Sequence, residues 1–363
     1  MIDESIKRLL DQATDVVDDS RLIQPGSVFV ARAGFRHHGL LALEEAVERG
    51  AMAIVHDGLA DESEQARLAH LDIPVIRRDT LDTDLPEWLN YFWGHPADGL
   101  MLYAVTGTNG KSSIAWMLAQ SLNGAMIGTL GIGKPLAHHK SDLTTPSIFS
   151  VYRHLAQFRN QGIKRVVIEA SSHALVQGRL AGLSFHTTIF TNLGHDHLDY
   201  HGDRQAYGDA KRRLFTEFHS ENQLINADDE FGEVLISELH QLNDSDSNIL
   251  TYSAQPGKSC DLAVTITSGL ESASGLDVAI KVASGECFEA HSSLIGSLNA
   301  YNLAICAQVM SLMGIEVDQI IQRLCTLSPP PGRMERVNSA PGLDHPRGDL
   351  PTVIVDYAHT PDA

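Results

Sequence analysis

Ala104-Val-Thr-Gly-Thr-Asn-Gly-Lys-Ser-Ser113 is the stretch on which the reading of the fold turns. An apolar run (Leu100, Met101, Leu102, Ala104, Val105) ends at Thr106-Gly107, and apolar residues at helical spacing (Ile114, Met117, Leu118) resume after Lys111. That order predicts strand, glycine loop, helix. Gly107 and Gly110 permit a tight turn with its N–H groups pointing inward, at the positive end of the helix dipole. Lys111 adds a cation able to reach outer phosphates, and Ser112 offers a hydroxyl to Mg²⁺. The full phosphate-loop spacing would need glycine at position 105, where Val105 stands. An ordinary glycine-rich turn therefore competes with a nucleoside triphosphate site.

Outward from this stretch, 363 residues allow two or three domains, each with a core. The net charge of −19, from 46 acidic and 27 basic residues, argues against nucleic acid or an anionic membrane as partner. Cys260, Cys287, Cys306 and Cys325 show no Cys-x-x-Cys spacing and read as reduced thiols of a cytosolic protein. The start lacks a signal-peptide pattern and no apolar run reaches membrane-spanning length, so the expected location is cytoplasmic.

The predicted fold class is α/β. Residues 1–95 alternate short apolar runs (Val16-Val17, Val28–Val30, Ala53–Val55, Val75-Ile76) with helical patterns, including Leu40–Arg49, and read as a small α/β domain. Residues 96–331 read as a central P-loop-type domain. Its strands Ala125–Gly128, Val166–Ile168 and Thr188–Phe190 lack polar alternation, as in a mostly parallel sheet covered on both faces. Within it, 261–295 alternates apolar and polar residues around Ser/Gly turns, which predicts a small antiparallel meander before helices at Leu298–Met313 and Val317–Leu324. After the stiff Ser328-Pro-Pro-Pro-Gly332, residues 332–363 read as the beginning of a third, Rossmann-like domain. The strand Thr352–Asp356 has neither a partner after it nor a terminal helix, so a truncated domain is expected.

Several groups could carry chemistry. Glu169 closes an apolar strand, at the edge that faces the ligand crevice in open α/β sheets, where a carboxylate can hold Mg²⁺; a helix N-terminal acid is the plainer alternative. Ser171-Ser172-His173 follow at once, but a nucleophile–base pair is disfavoured because adjacent residues rarely meet in that geometry. Gln177 and Arg179 supply an amide and a cation. His195, Asp196, His197, Asp199 and His201 approach a dinuclear metallohydrolase pattern that fails where Tyr200 stands; His197 contributing one imidazole to a hard-metal site fits better. Lys211 lies on the apolar stripe of its helix, where an ammonium is costly. It either snorkels or becomes a neutral amine able to take up CO₂ as a metal-binding carbamate. Asn299-x-x-Asn302 puts two amides on one helix face, Arg333 could reach a phosphate, and Asp356 could reach a ribose.

Taken together these residues resemble the Mur ligase family, ATP-dependent amide ligases of peptidoglycan precursor synthesis. The matching blocks are 107–113, Thr-Thr-Pro-Ser (144–147), Glu-Ala-Ser-Ser-His-Ala-Leu-Val-Gln-Gly-Arg (169–179), 190–202, Ala-Lys-Arg-Arg-Leu-Phe (210–215), Asn-Ala-Tyr-Asn (299–302), Pro-Gly-Arg-Met-Glu (331–335) and 356–362. They occur in family order across nearly the whole chain. The resemblance is to the member that adds the third amino acid, meso-diaminopimelate or L-lysine, to UDP-N-acetylmuramoyl-L-alanyl-D-glutamate through an acyl phosphate. It implies a monomeric, cytoplasmic ligase whose partners are small molecules: ATP, the UDP-muramoyl dipeptide and an amino acid. By position, Gly107, Thr108, Asn109, Gly110, Lys111, Ser112 and Ser113 would cradle ATP, with Asn302, Arg333 and Asp356 completing that site. Ser20 of the N-terminal domain and Thr144, Thr145, Ser171, Gln177 and Arg179 would contact the muramoyl substrate. Ser112, Glu169, His197 and Lys211, as a carbamate, would hold Mg²⁺, and Lys111, Glu169, His197 and Lys211 would be the catalytic groups.

The departures from the pattern are Leu143 where the family has Asn, His195 where it has Arg, Ser112-Ser113 in place of Thr, and an unusual loop at Gly34-Phe35-Arg36-His37-His38. Leu143 removes an amide at the substrate. The competing readings are a ligase for another carboxylate, of folylpolyglutamate type, and a non-catalytic nucleotide-binding fragment.

Overall fold

The short apolar runs of the first hundred residues become four parallel strands in sequence order: β1 (Asp15–Val17), β2 (Ser27–Ala31), β3 (Ala53–His56) and β4 (Val75–Arg77). β2 and β3 are buried along their whole length, as strands covered on both faces must be. The computed structural model describes residues 2–34, 38–58, 62–242, 247–269, 275–337 and 353–358. Residues 35–37 of the unusual loop, Thr352, and 359–362 of the last matching block lie outside them.

The chain divides into two compact units, Met1–Asp98 with Ser147–Asn160, and Gly99–Pro146 with Gln161–Ala363. In the first, the expected helix Leu40–Arg49 opens as a 3₁₀ turn, Gly39–Ala42, before Leu43–Glu48. A Cβ on Gly39 would lie 2.8 Å from the Ala31 backbone, so close packing on β2 dictates the tighter turn. The helix Leu81–Phe92 is not legible from periodicity alone, because Pro86 interrupts it. The helix Ile148–Asn160, from mid-sequence, also belongs to this unit. Its Arg153 donates twice to Asp15, at 3.0 and 2.8 Å, and Ser147 Oγ donates to Asp18 at 3.1 Å.

The second unit is built on an eleven-stranded sheet. In chain order its strands are β5 (Met101–Thr106), β6 (Ala125–Gly128), β7 (Gly131–Lys134), β8 (Ala137–His139), β9 (Arg165–Glu169), β10 (Phe185–Phe190), β11 (Ser220–Asn226), β12 (Asn248–Ser253), β13 (Leu262–Ser268), β14 (Leu276–Lys281) and β15 (Cys287–Ser292). They lie in the order β15-β14-β13-β12-β11-β10-β5-β9-β6-β7-β8, parallel from β13 to β6. The antiparallel meander β13–β15 extends this sheet at one edge. A second antiparallel edge, β6–β7–β8, was hidden in the sequence by its brevity and by Gly131 and Gly133, both at positive φ. Helices Lys111–Ser121 and Leu298–Leu312 are apolar nearly all round and share one core, with Trp116, Leu118, Leu303 and Ile305 at most 1 % exposed.

Two short strands complete the described chain. β16 (Glu335–Val337) pairs antiparallel with β17 (Val353–Val355), so the terminal strand finds its partner in the preceding segment. Among the described residues no helix is long and apolar enough to cross a membrane.

Candidate active site

β5 lies between β9 and β10, which follow it in sequence on opposite sides, so the three strands create a topological switch point at their carboxyl ends. The turn after β5 needs its glycines. Gly107 has φ +145, and a Cβ there would fall 1.8 Å from Thr191 Oγ1; Gly110, at φ +88, caps the following helix. The segment after β10 braces the loop: Asn109 N–H donates to Asn192 Oδ1 at 2.9 Å, Thr191 Oγ1 donates to Asn109 O at 2.6 Å, and Gly194 N–H donates to Thr108 Oγ1 at 2.9 Å.

Two lysines converge here. Lys111 Nζ donates to Gly107 O and Thr108 O, each at 2.8 Å, and Lys211 Nζ donates to the same Gly107 O at 2.7 Å. Lys211 is 1 % exposed and lies 4.2 Å from the centre of the Tyr207 ring. Burial, then the like charge of Lys111, drive its ammonium well below the ordinary lysine range. Burial also lowers Lys111, against the attraction of Glu169 and Asp196.

Glu169 is fully buried at the end of β9. It accepts from Ser112 Oγ at 2.9 Å, from Thr129 N–H at 2.9 Å and from Thr129 Oγ1 at 3.2 Å. Burial raises its pKa, while Lys111, Ser112 and Thr129 oppose the shift. A Cβ at Gly128 would lie 2.1 Å from Glu169 Oε1, so the carboxylate sits where only glycine leaves room. Ser112 and Glu169 thus present hard oxygen donors, the chemistry that suits Mg²⁺. Among the described residues no three His, Cys, Asp or Glu side chains are grouped to hold a metal by themselves. His197, at φ +54, lies beside Asp196, 3.5 Å away, with its ring 4.9 Å from that of His173.

The residues matched to substrate contacts form one hydrogen-bonded set. Thr145 Oγ1 donates to Glu169 O at 2.5 Å and is 3.0 Å from Ser171 Oγ; Arg179 donates to Thr145 O and to Gln177 Oε1; Gln177 Nε2 donates to Tyr200 OH at 3.2 Å. Thr144 Oγ1 lies 2.9 Å from Thr129 Oγ1. Leu143 is exposed. His201 Nε2 is 2.9 Å from Ser172 Oγ, and His173 stacks 4.0 Å from Tyr200. Burial, with His197 and His201 nearby, lowers the His173 pKa to about 4. Ser20, in the first unit, donates to Glu45 at 2.6 Å.

Beside the loop opens a cavity of about 500 Å³ that brings Asn109, Gly110, Ser113, Asn302, Arg333 and Asp356 together. Asn302 is oriented by donating to Asn299 Oδ1 at 2.8 Å, and Asp356 accepts from the backbone of Met334 and Ala358. A mostly apolar wall (Ile295, Leu298, Ile305, Tyr252, Tyr301) faces these polar groups, the composition of a site for a ring system with a charged tail.

Residues 105–310 match the family profile described as Mur ligase middle domain. The chain belongs to the Mur ligase family. It is 36% identical over 357 residues to the UDP-N-acetylmuramoyl-L-alanyl-D-glutamate–2,6-diaminopimelate ligase of Xanthomonas oryzae pv. oryzae, covering 97% of this chain and 68% of that one. A solved structure of a ligase of the same name superposes with a TM-score of 0.77 at 28% identity, over 96% of this chain and 68% of the other. Mycobacterium tuberculosis folylpolyglutamate synthase, solved with ADP and AMPPCP, shares the fold at a TM-score of 0.56 and 18% identity, over 76% of this chain and 67% of that one.

The sequence reading passed over Thr129 and Asp228, and it quoted Thr191, Asn192 and Tyr301 within matching blocks without giving them a role. Asp228 follows β11 and lines the cavity, accepting from Ser253 Oγ, Ala254 N–H and Tyr301 OH at 2.6–2.8 Å. Burial pushes its pKa up, but these bonds together with Lys258 hold it below the usual value. Its position at a parallel strand's carboxyl end was the available signal, the same one that singled out Glu169.

Proposed function

We propose that this Mur ligase joins an amino acid to the D-glutamyl carboxylate of UDP-N-acetylmuramoyl-L-alanyl-D-glutamate, with ATP as the energy source, in peptidoglycan precursor synthesis. The amino acid named for its relatives is 2,6-diaminopimelate. The observation that carries the reading is the adjacency of a phosphate loop, a buried carboxylate and one connected set of substrate-type donors: Glu169 bonds both to Ser112 of the loop and, through Thr129, toward Thr144.

Lys111 and the loop N–H groups hold the phosphates, while Asn302, Arg333 and Asp356 receive the nucleoside side. Arg179, Gln177, Ser171, Thr144 and Thr145 orient the muramoyl peptide, and Ser20 meets its uridine nucleotide. A carboxylate oxygen attacks the γ-phosphorus, ADP leaves, and the incoming amine displaces phosphate from the acyl phosphate while losing a proton. Ser112, Glu169, His197 and a Lys211 carbamate would hold Mg²⁺, which when bound would supply charge neutralisation where two anions meet. The carbamate is favoured by the near-total burial of Lys211 and its shared carbonyl with Lys111, which disfavour an ammonium. A monomeric cytoplasmic enzyme fits this small-molecule chemistry.

Phosphate release with ATP, the muramoyl dipeptide and diaminopimelate tests the activity. The expected result is release that requires the dipeptide and falls at least 100-fold in Lys111→Ala. Release driven instead by a folyl glutamate, or ATP binding without any dipeptide-dependent turnover, would contradict the reading.

A further inference from the structure

Thr129 joins the two halves of the site through a single hydroxyl. Its Oγ1 is 3.2 Å from Glu169 Oε2 and 2.9 Å from Thr144 Oγ1, while its N–H fixes the other carboxylate oxygen at 2.9 Å. Each hydroxyl carries one proton, so the arrangement has a direction. With Thr129 donating to Glu169, Thr144 must donate to Thr129. A ligand oxygen that draws the Thr144 proton converts Thr144 into an acceptor. Thr129 then turns its proton toward Thr144, and Glu169 Oε2 regains a lone pair for a cation.

We propose that Thr129 is a positioning residue whose hydroxyl relays occupancy of the substrate threonine Thr144 to the carboxylate Glu169, so that the muramoyl peptide and a divalent cation–nucleotide bind cooperatively. This rests on the substrate and metal roles argued above. The coupling is reciprocal, so each ligand strengthens binding of the other to the same extent. Thr129 is solvent-exposed, and valine preserves its branched shape and its N–H bond while removing the relay.

The test is calorimetric titration of Mg²⁺·β,γ-imido-ATP into the chain with and without saturating UDP-N-acetylmuramoyl-L-alanyl-D-glutamate, with thermal melting as a check on folding. The wild-type chain should bind the nucleotide at least fivefold more tightly when the dipeptide is present, a coupling in the range typical of linked sites. Thr129→Val should reduce the enhancement below twofold, Thr129→Ser should restore it, and Thr129→Val/Thr144→Val should be no worse than either single change. Full coupling in Thr129→Val, or loss of coupling in Thr129→Ser equal to that in Val, would overturn the relay. If wild type binds both probes independently, the relay alone fails; if it does not bind the dipeptide at all, the substrate reading fails and the relay with it.

Discussion

Lys111 and Lys211 end on one carbonyl oxygen, that of Gly107, at 2.8 and 2.7 Å. Two ammonium groups share that oxygen at a cost, and burial, with Lys111 beside it, disfavours the charged form of Lys211 the more strongly. We propose that Lys211 reacts with CO₂ as a neutral amine. Equilibration with ¹³C-bicarbonate should therefore give a protein-bound carbamate carbon signal by NMR in the wild type and none in Lys211→Met. The signal should weaken as pH falls, because the proton competes with CO₂ for the amine; its absence at pH 8 would contradict the assignment. His173 gives a second residue-scale prediction. Its folded pKa is about 4, lowered by burial from 6.5, so the unfolded chain binds more protons between those values. Stability should fall as pH drops from about 6.5 toward 4, and less steeply in His173→Gln as followed by denaturant unfolding. At this scale the sequence was legible where a residue's cost was visible, as with Lys211 on an apolar stripe. It was silent on Thr129 and Tyr207, whose importance lies in what the fold sets beside them.

The elements explain which of those costs are tolerated. The turn after β5 must pass within contact distance of the segment after β10, and Gly107 alone permits it. Gly107→Ala should weaken binding of Mg²⁺·β,γ-imido-ATP by about 30-fold or more, roughly 2 kcal/mol, as read by calorimetry; binding within threefold of wild type would contradict the packing. In the core beneath the cavity, Leu303 is fully buried on the helix that also presents Asn302. Leu303→Ala should cost about 2–5 kcal/mol of stability in denaturant melts. β5, β6, β9 and the end of β10 were legible because they are apolar runs, whereas β11 and β12, interrupted by Glu221, Asn222, Gln223 and Thr251, were not. The edge β7–β8 was not, since Gly131 and Gly133 erase the alternation that marks an antiparallel strand, and Pro86 similarly masked Leu81–Phe92.

For the whole molecule, two compact units emerge, and the helix Ile148–Asn160 belongs to the first although its neighbours in sequence belong to the second. A linear reading assigns contiguous stretches to domains and has no means of seeing such a return, because the packing partners of that helix, Asp15 and Asp18, lie more than a hundred residues upstream. The chain spans 68% of the length of the diaminopimelate ligases it resembles. The groups assigned to ATP and to the glutamyl end of the dipeptide nonetheless lie in the second unit, where a net-acidic chain places Lys111, Arg179 and Arg333. We propose that, of these, Arg179 recognises the muramoyl peptide. Calorimetric titration of UDP-N-acetylmuramoyl-L-alanyl-D-glutamate into the wild-type chain and into Arg179→Ala tests it most directly. Saturable binding that weakens at least tenfold when Arg179 is removed is the expected result; no binding to the wild type, or equal binding to both, would contradict this recognition.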